Sequence, residues 1–183
     1  MTLLSHKLSD YCVIDTETTG LNVDECELLV VCALKVINGC VVDRFQMYAK
    51  PKSPIPPEIT AINKIRDIDV KYAPHPSFVT KQLRTFIGDM LLIGHNIKFD
   101  LSFLNKNSDN LFNGLSYIDT RELSFCLLKD RLANYSQSSL ESHFEIKNAK
   151  KHSATGDAEA LQKIFEKLLT GHPAHIFAQY IRN

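Results

Sequence analysis

The chain has 183 residues, a length that fits one compact domain. With 44% hydrophobic and 23% charged residues it has an ordinary globular balance, which excludes a disordered tail, a collagen-like chain and a disulfide-stapled mini-protein. Lys+Arg and Asp+Glu number 21 each, so the formal charge is zero. Proteins that coat long stretches of nucleic acid are usually basic, so that role is disfavoured, whereas a grip on a few nucleotides is allowed.

The first ten residues lack a basic start followed by an apolar core, so no signal peptide is expected, and apolar runs such as 28–34 are far shorter than a membrane span. The five cysteines contain no Cys-x-x-Cys pair and are odd in number, which argues against thiolate-bound zinc and a disulfide framework. Cys12, Cys32 and Cys126 are expected as small core residues of a cytoplasmic protein.

Residues 11–14 form an apolar run that stops at an acidic cluster and predict a buried strand. Residues 28–37 predict a second strand and 41–48 a third. Between them Asn38-Gly39 is a hairpin signal, since both residues tolerate positive φ, so the first three strands should form an antiparallel meander. The four prolines of residues 51–57 predict a loop. Phe78, Leu83, Phe86 and Ile87 suit one face of a helix over 77–88. Residues 90–93 predict a fourth strand, 99–104 the start of a helix, 115–118 a short fifth strand, 121–132 a helix and 139–144 a helical turn or two. The last helix, about 154–169, carries an apolar stripe of Ala158, Leu161, Phe165 and Leu168 and ends before Gly171 and Pro173. With no repeat and no linker, this order predicts one α/β domain over 1–183. Its core is a mixed five-stranded sheet, an antiparallel meander plus parallel strands, flanked by helices.

Three groups of residues carry chemistry. Asp15 and Glu17, two apart at a strand end, point the same way, and two carboxylates that close stay ionised together only around a cation. Asp100 follows a second strand, in the first turn of a helix, after the junction His95-Asn96. His152 and Asp157 flank the start of the last helix. Taken singly, each group has an ordinary reading: a solvated acidic strand end, a carboxylate complementing a helix N-terminus, a surface histidine after the basic residues 147–151. Together they come from two strand ends and two helix starts, which converge on one edge of an α/β sheet. Four carboxylates in one pocket call for two divalent ions, and hard oxygen donors select Mg²⁺ or Mn²⁺. Two such ions stabilise the attacking and leaving oxygens of a phosphoryl displacement, with His152 as general base for the attacking water.

Val13-Ile-Asp-Thr-Glu-Thr-Thr-Gly-Leu21, Gly94-His-Asn-Ile-Lys-Phe-Asp100 and His152-Ser-Ala-Thr-Gly-Asp-Ala158 occur in that order, with weaker matches at Ile55-Pro-Pro-Glu-Ile59, Ile118-Asp-Thr120 and Ser139-Leu140. On these residues the chain, over about 11–170, resembles the DEDDh family of 3′–5′ exonucleases, which includes the epsilon proofreading subunit of bacterial DNA polymerase III. The resemblance implies a ribonuclease H-like fold, two metal ions and release of nucleoside 5′-monophosphates from a 3′ end. By position it implies Asp15, Glu17, Asp100 and Asp157 as catalytic metal ligands and His152 as general base. The sister branch has a tyrosine four residues before the last Asp, where this chain has Ser153. The resemblance also implies contacts to the terminal nucleotide from Thr18, Leu21 (a wedge against the last bases) and Phe99, although Leu21 and Phe99 equally suit a core. Many epsilon-like members carry His-Gly-Ile-Thr where this chain has Asn63-Lys-Ile-Arg66. There Lys64 or Arg66 is a candidate phosphate ligand, or the segment is a plain solvated loop.

The expected substrate is a nucleic acid 3′ end, single-stranded DNA before RNA, with a polymerase or repair protein as possible partner. Lys147, Lys150 and Lys151 either attract the backbone or form a solvated charge run. Phe177, Tyr180 and Ile181 in the short tail either dock on a partner or pack on their own domain. An exoribonuclease that trims short RNA, a non-catalytic nucleic-acid-binding module and an unrelated Mg²⁺ phosphatase are the alternatives. The full catalytic set argues against the module, and the His-Asn and His-x4-Asp motifs against the phosphatase.

Overall fold

Strand β1 (Tyr11–Thr18) runs through the middle of a five-stranded sheet of order β3-β2-β1-β4-β5. The computed structural model describes residues 8–149, 151 and 153–183. Strands β2 (Leu28–Ile37) and β3 (Cys40–Tyr48) form the expected antiparallel meander, closed by Asn38 (φ 51°) and Gly39 (φ 74°). Strands β4 (Leu91–Gly94) and β5 (Tyr117–Asp119) add in parallel on the other side of β1.

The helices are α1 (Pro57–Asn63), α2 (Asp67–Val70), α3 (Pro76–Ile87), α4 (Lys98–Lys106), α5 (Thr120–Leu127), α6 (Gln137–His143), α7 (Ala154–Thr170) and α8 (Ala174–Phe177). Alternation along β1 sorts them into two layers. Tyr11 and Val13 face a core that holds Leu161, Phe165 and Leu168 of α7 together with Leu123 and Leu140. Cys12 and Ile14 face the opposite core, with Val79, Leu83 and Ile87 of α3 and Phe103 of α4. The stripe predicted for the last helix is wholly buried, and the Tyr11 ring meets Phe165 edge-on with centroids 5.0 Å apart.

Several expectations change. The proline-rich segment is a loop over 51–56 as expected, but Pro57 already opens α1, a position where its fixed φ and missing N–H cost nothing. Strand β1 runs to Thr18 rather than stopping before the acidic cluster, so Asp15 and Glu17 lie within it. The helix expected over 121–132 ends at Leu127, and Asp130 adopts a left-handed φ of 62° soon after. Helix α3 buries Val79, Thr80, Leu83 and Ile87, so Phe78 points outward and is 50% exposed. Cys12 and Cys32 are core residues, but Cys126 is exposed, because α5 turns Thr120, Leu123 and Ser124 inward.

The tail packs on its own chain. Phe177 is buried in the α7-side core, Tyr180 and Ile181 lie against it, and Arg182 exchanges backbone hydrogen bonds of 2.8 and 2.9 Å with Tyr117. Among the described residues no helix is long and apolar enough to cross a membrane.

Candidate active site

The site forms at the C-terminal end of β1. Asp15 and Glu17 extend the face that carries Tyr11 and Val13, and α7 packs on that face with Asp157 in its first turn. Ser153 caps this helix by accepting from the Gly156 N–H at 3.2 Å, which fixes where the turn begins. Asp15, Glu17 and Asp157 each offer a carboxylate oxygen, and these atoms lie within 4.8 Å of one another.

Asp100 arrives from the other layer. Ile93 of β4 pairs with Val13, so β4 does not cover β1 beyond Ile14, and the chain turns through residues 95–97 into α4. Gly94 permits that turn, because a Cβ there would sit 2.5 Å from a side-chain carbon of Ile97. Asn96 takes a left-handed φ of 61°, and Asp119 accepts from its N–H at 2.9 Å. Asp100 is buried and accepts a hydrogen bond from the Thr16 hydroxyl. It stands beside the trio rather than within it, and is the strongest charge acting on Asp15.

The electrostatics follow. Removal from water, then Asp100, Glu17 and Asp157, push Asp15 well above the usual carboxylate range. Burial and the charge of Asp157 raise Glu17 to about 7, opposed by a hydrogen bond from Asn63. Burial raises Asp100 as well, opposed by the Thr16 hydrogen bond. Among the described residues, each charge that acts on Asp15 is another carboxylate, so the cluster favours a cation, and its all-oxygen donors suit Mg²⁺ or Mn²⁺ over zinc.

The remaining expected residues are placed as follows. His152 lies outside the described residues, as does Lys150. Thr18 is buried and donates its hydroxyl proton to the Gly20 carbonyl at 2.6 Å. Leu21 is 87% exposed on the loop after β1, which Lys106 ties to α4 through the carbonyls of Val23, Asp24 and Cys26. Phe99 is half-buried against Phe103. His95 bonds Thr120 through Nδ1 at 3.0 Å, a structural role, and burial lowers its pKa. Arg66 is held by Asp69 at 3.0 and 3.1 Å, and Lys64 donates to the Ala61 carbonyl, so neither side chain of the 63–66 segment is idle. Lys147 is exposed, whereas Lys151 pairs with Glu141 at 3.2 Å.

Sequence reasoning missed Asn63, which is buried, accepts from the Ile65 N–H at 3.0 Å and holds the Glu17 pKa down through its side chain. It also missed Asn148, whose amide donates to Asp157 Oδ1 at 2.8 Å. Neither lies in a recognisable motif. Only the departure at Asn63-Lys-Ile-Arg66 pointed near the first.

A family model described as Exonuclease (RNase_T) matches residues 12–165. The PolC-type DNA polymerase III of Halalkalibacterium halodurans is 36% identical over 155 residues, which cover 83% of this chain and 11% of that protein. That of Caldanaerobacter subterraneus subsp. tengcongensis is 36% identical over 164 residues, covering 87% and 12%. The chain thus spans about a ninth of the length of these curated relatives. Among solved structures, exonuclease X in complex with 5′ overhanging duplex DNA superposes with a TM-score of 0.70 at 21% identity, over 93% of this chain and 98% of that one. The nuclease domain of 3′hExo, a DEDDh family member bound to rAMP, gives 0.76 at 17% identity over 89% and 92%. These likenesses show the ribonuclease H-like fold expected from the motifs.

Proposed function

The chain belongs to the RNase_T exonuclease family, and from that membership we propose that it is a metal-dependent 3′–5′ exonuclease that removes nucleoside 5′-monophosphates from the 3′ end of DNA. The observation that carries this reading is the carboxylate trio of Asp15, Glu17 and Asp157 beside the buried Asp100, at the open end of the central strand.

Asp15, Glu17, Asp100 and Asp157 would hold two divalent ions, whose charge offsets theirs. When bound, such ions polarise the phosphate and stabilise the attacking and leaving oxygens of its hydrolysis. The protein does the rest. The α7 N-terminus and the end of β1 set the carboxylates, Thr16 and Asn63 fix Asp100 and Glu17, and His152 takes the proton of the attacking water. Leu21, exposed on the loop beside the site, and Phe99 and Thr18 contact the terminal nucleotide.

DNA is placed before RNA because the curated relatives are DNA polymerases. The chain matches a small part of each, and we place it as an exonuclease unit, acting alone or beside a polymerase. Its free cysteines, two of them exposed, fit the reducing cytoplasm.

The test is a paired digestion of 5′-labelled single-stranded DNA and RNA of matched sequence with Mg²⁺, against the Asp15→Ala protein. A 3′-end ladder on DNA, absent with Asp15→Ala and with EDTA, is expected. A ladder on RNA alone moves the protein to the RNA-trimming branch. No ladder on either overturns the enzyme reading.

A further inference from the structure

Asp157 is gripped at two points by residues that the exonuclease reading does not use. The Asn148 amide donates to its Oδ1 at 2.8 Å. The Gln137 amide donates to its backbone carbonyl at 2.9 Å. Both amides also reach a single oxygen, Glu141 Oε1, at 3.2 Å from Asn148 and 3.5 Å from Gln137. Gln137 and Glu141 are four residues apart on α6 and therefore share the face turned to α7.

Glu141 is the unusual member. It is 3% exposed, and a carboxylate in such a place costs free energy that an apolar side chain would not. Lys151 answers its charge, with Nζ 3.2 Å from Oε2. The pair therefore adds no net charge beside an already crowded set of carboxylates, and it anchors the segment between α6 and α7 at the residue before His152.

What the pair supplies is direction. An asparagine amide can turn either its oxygen or its NH₂ toward a neighbour. Asn148 lies between two carboxylate oxygens, Glu141 Oε1 and Asp157 Oδ1, and its amide nitrogen presents its two N–H bonds, one to each. Turned the other way, its oxygen would face both carboxylates. Glu141, held by Lys151 through its other oxygen, disfavours that orientation.

We propose, resting on the exonuclease reading, that Asn148 is a positioning residue oriented by the buried Glu141–Lys151 pair, holding Asp157 in place to bind a divalent ion. Partners that orient metal ligands in this way typically matter 10–100-fold for metal affinity or activity.

The test is Mn²⁺ binding to the full chain by calorimetry, with thermal unfolding in EDTA measured beside it. Asn148→Ala is expected to weaken Mn²⁺ binding roughly 10–100-fold while leaving the metal-free unfolding temperature nearly unchanged. Glu141→Leu, which removes the acceptor and the charge, is expected to weaken Mn²⁺ binding by a larger factor than its loss of metal-free stability accounts for, and it serves if Asn148→Ala does not fold. Unaltered Mn²⁺ affinity in either folded variant overturns the positioning role and leaves the exonuclease reading intact. If the unaltered protein does not bind Mn²⁺, the exonuclease reading fails and the positioning role with it.

Discussion

The Thr16 hydroxyl donates a 2.8 Å hydrogen bond to Asp100, tying a carboxylate carried by the helix on one face of the sheet to the strand whose other face carries Asp15 and Glu17. Residue 16 points away from residues 15 and 17, so Asp100 reaches the cluster around the uncovered edge of β1 and is held there from behind. Thr16→Val keeps the shape and removes the donor. It is expected to raise the Mg²⁺ concentration for half-maximal nuclease rate roughly 10–100-fold, whereas Thr16→Ser retains most of the wild-type response. Equal Mg²⁺ titrations for Thr16→Val and wild type would contradict this role.

The crowding of carboxylates predicts how the metal-free protein responds to pH. Glu17 rises from its ordinary 4.5 to about 7, and Asp15 and Asp100 rise as well. The folded state therefore keeps these protons to higher pH than the unfolded chain does. Their contribution to stability is fully present below the unfolded-state values and is lost as pH climbs through the folded ones, between about 4.5 and 7 for Glu17. In EDTA the unfolding temperature should fall from pH 5 to pH 8, and Mg²⁺ should raise it more at pH 8 than at pH 5. Asp15→Asn should flatten the fall, stabilise the metal-free protein at pH 8 and reduce nuclease activity to background. A rising unfolding temperature in EDTA over that range would refute the assignment.

His152 owes its proposed role to its spacing from Asp157, five residues. Its replacement by alanine is expected to lower turnover roughly 10²–10⁴-fold, the usual size for a lost general base, with little change in Mn²⁺ affinity. An unchanged rate would remove His152 from the mechanism.

Leu21, 87% exposed, contributes almost nothing to the core. Leu21→Ala should change stability by less than about 0.5 kcal/mol, as exposed substitutions do. If the side chain wedges against the terminal bases, the variant should show a higher KM for DNA at unchanged unfolding temperature. An unaltered KM would leave Leu21 without a role at the 3′ end.

The parts of this architecture that were legible beforehand were those with a long period or a forced geometry. The α7 stripe of Ala158, Leu161, Phe165 and Leu168 and the Asn38-Gly39 hairpin belong to that class. Helices α1 and α2 were not legible, since seven and four residues carry too little periodicity and proline reads first as a breaker. The acidic residues stood out only in combination, because two strand-end and two helix-start carboxylates converge on one sheet edge and occur in the order of a known set of motifs. Asn63 and Asn148 did not, because an asparagine in a polar segment has the same appearance in sequence whether it caps a turn or orients a buried carboxylate. Phe78 and Cys126 show the limit of composition, for a helix decides by rotation which apolar residue is left outside.

The way the carboxylates are gathered makes the complete acidic cluster a property of the finished fold. Asp15 and Glu17 lie on the first strand, Asp100 follows the fourth, and Asp157 enters with α7, on the opposite side of the sheet from α4. A nascent chain that has not yet delivered α7 carries three of the four acids but lacks the carboxylate that completes the trio of Asp15, Glu17 and Asp157. On the exonuclease reading, metal binding and cutting therefore await the arrival of the last long helix.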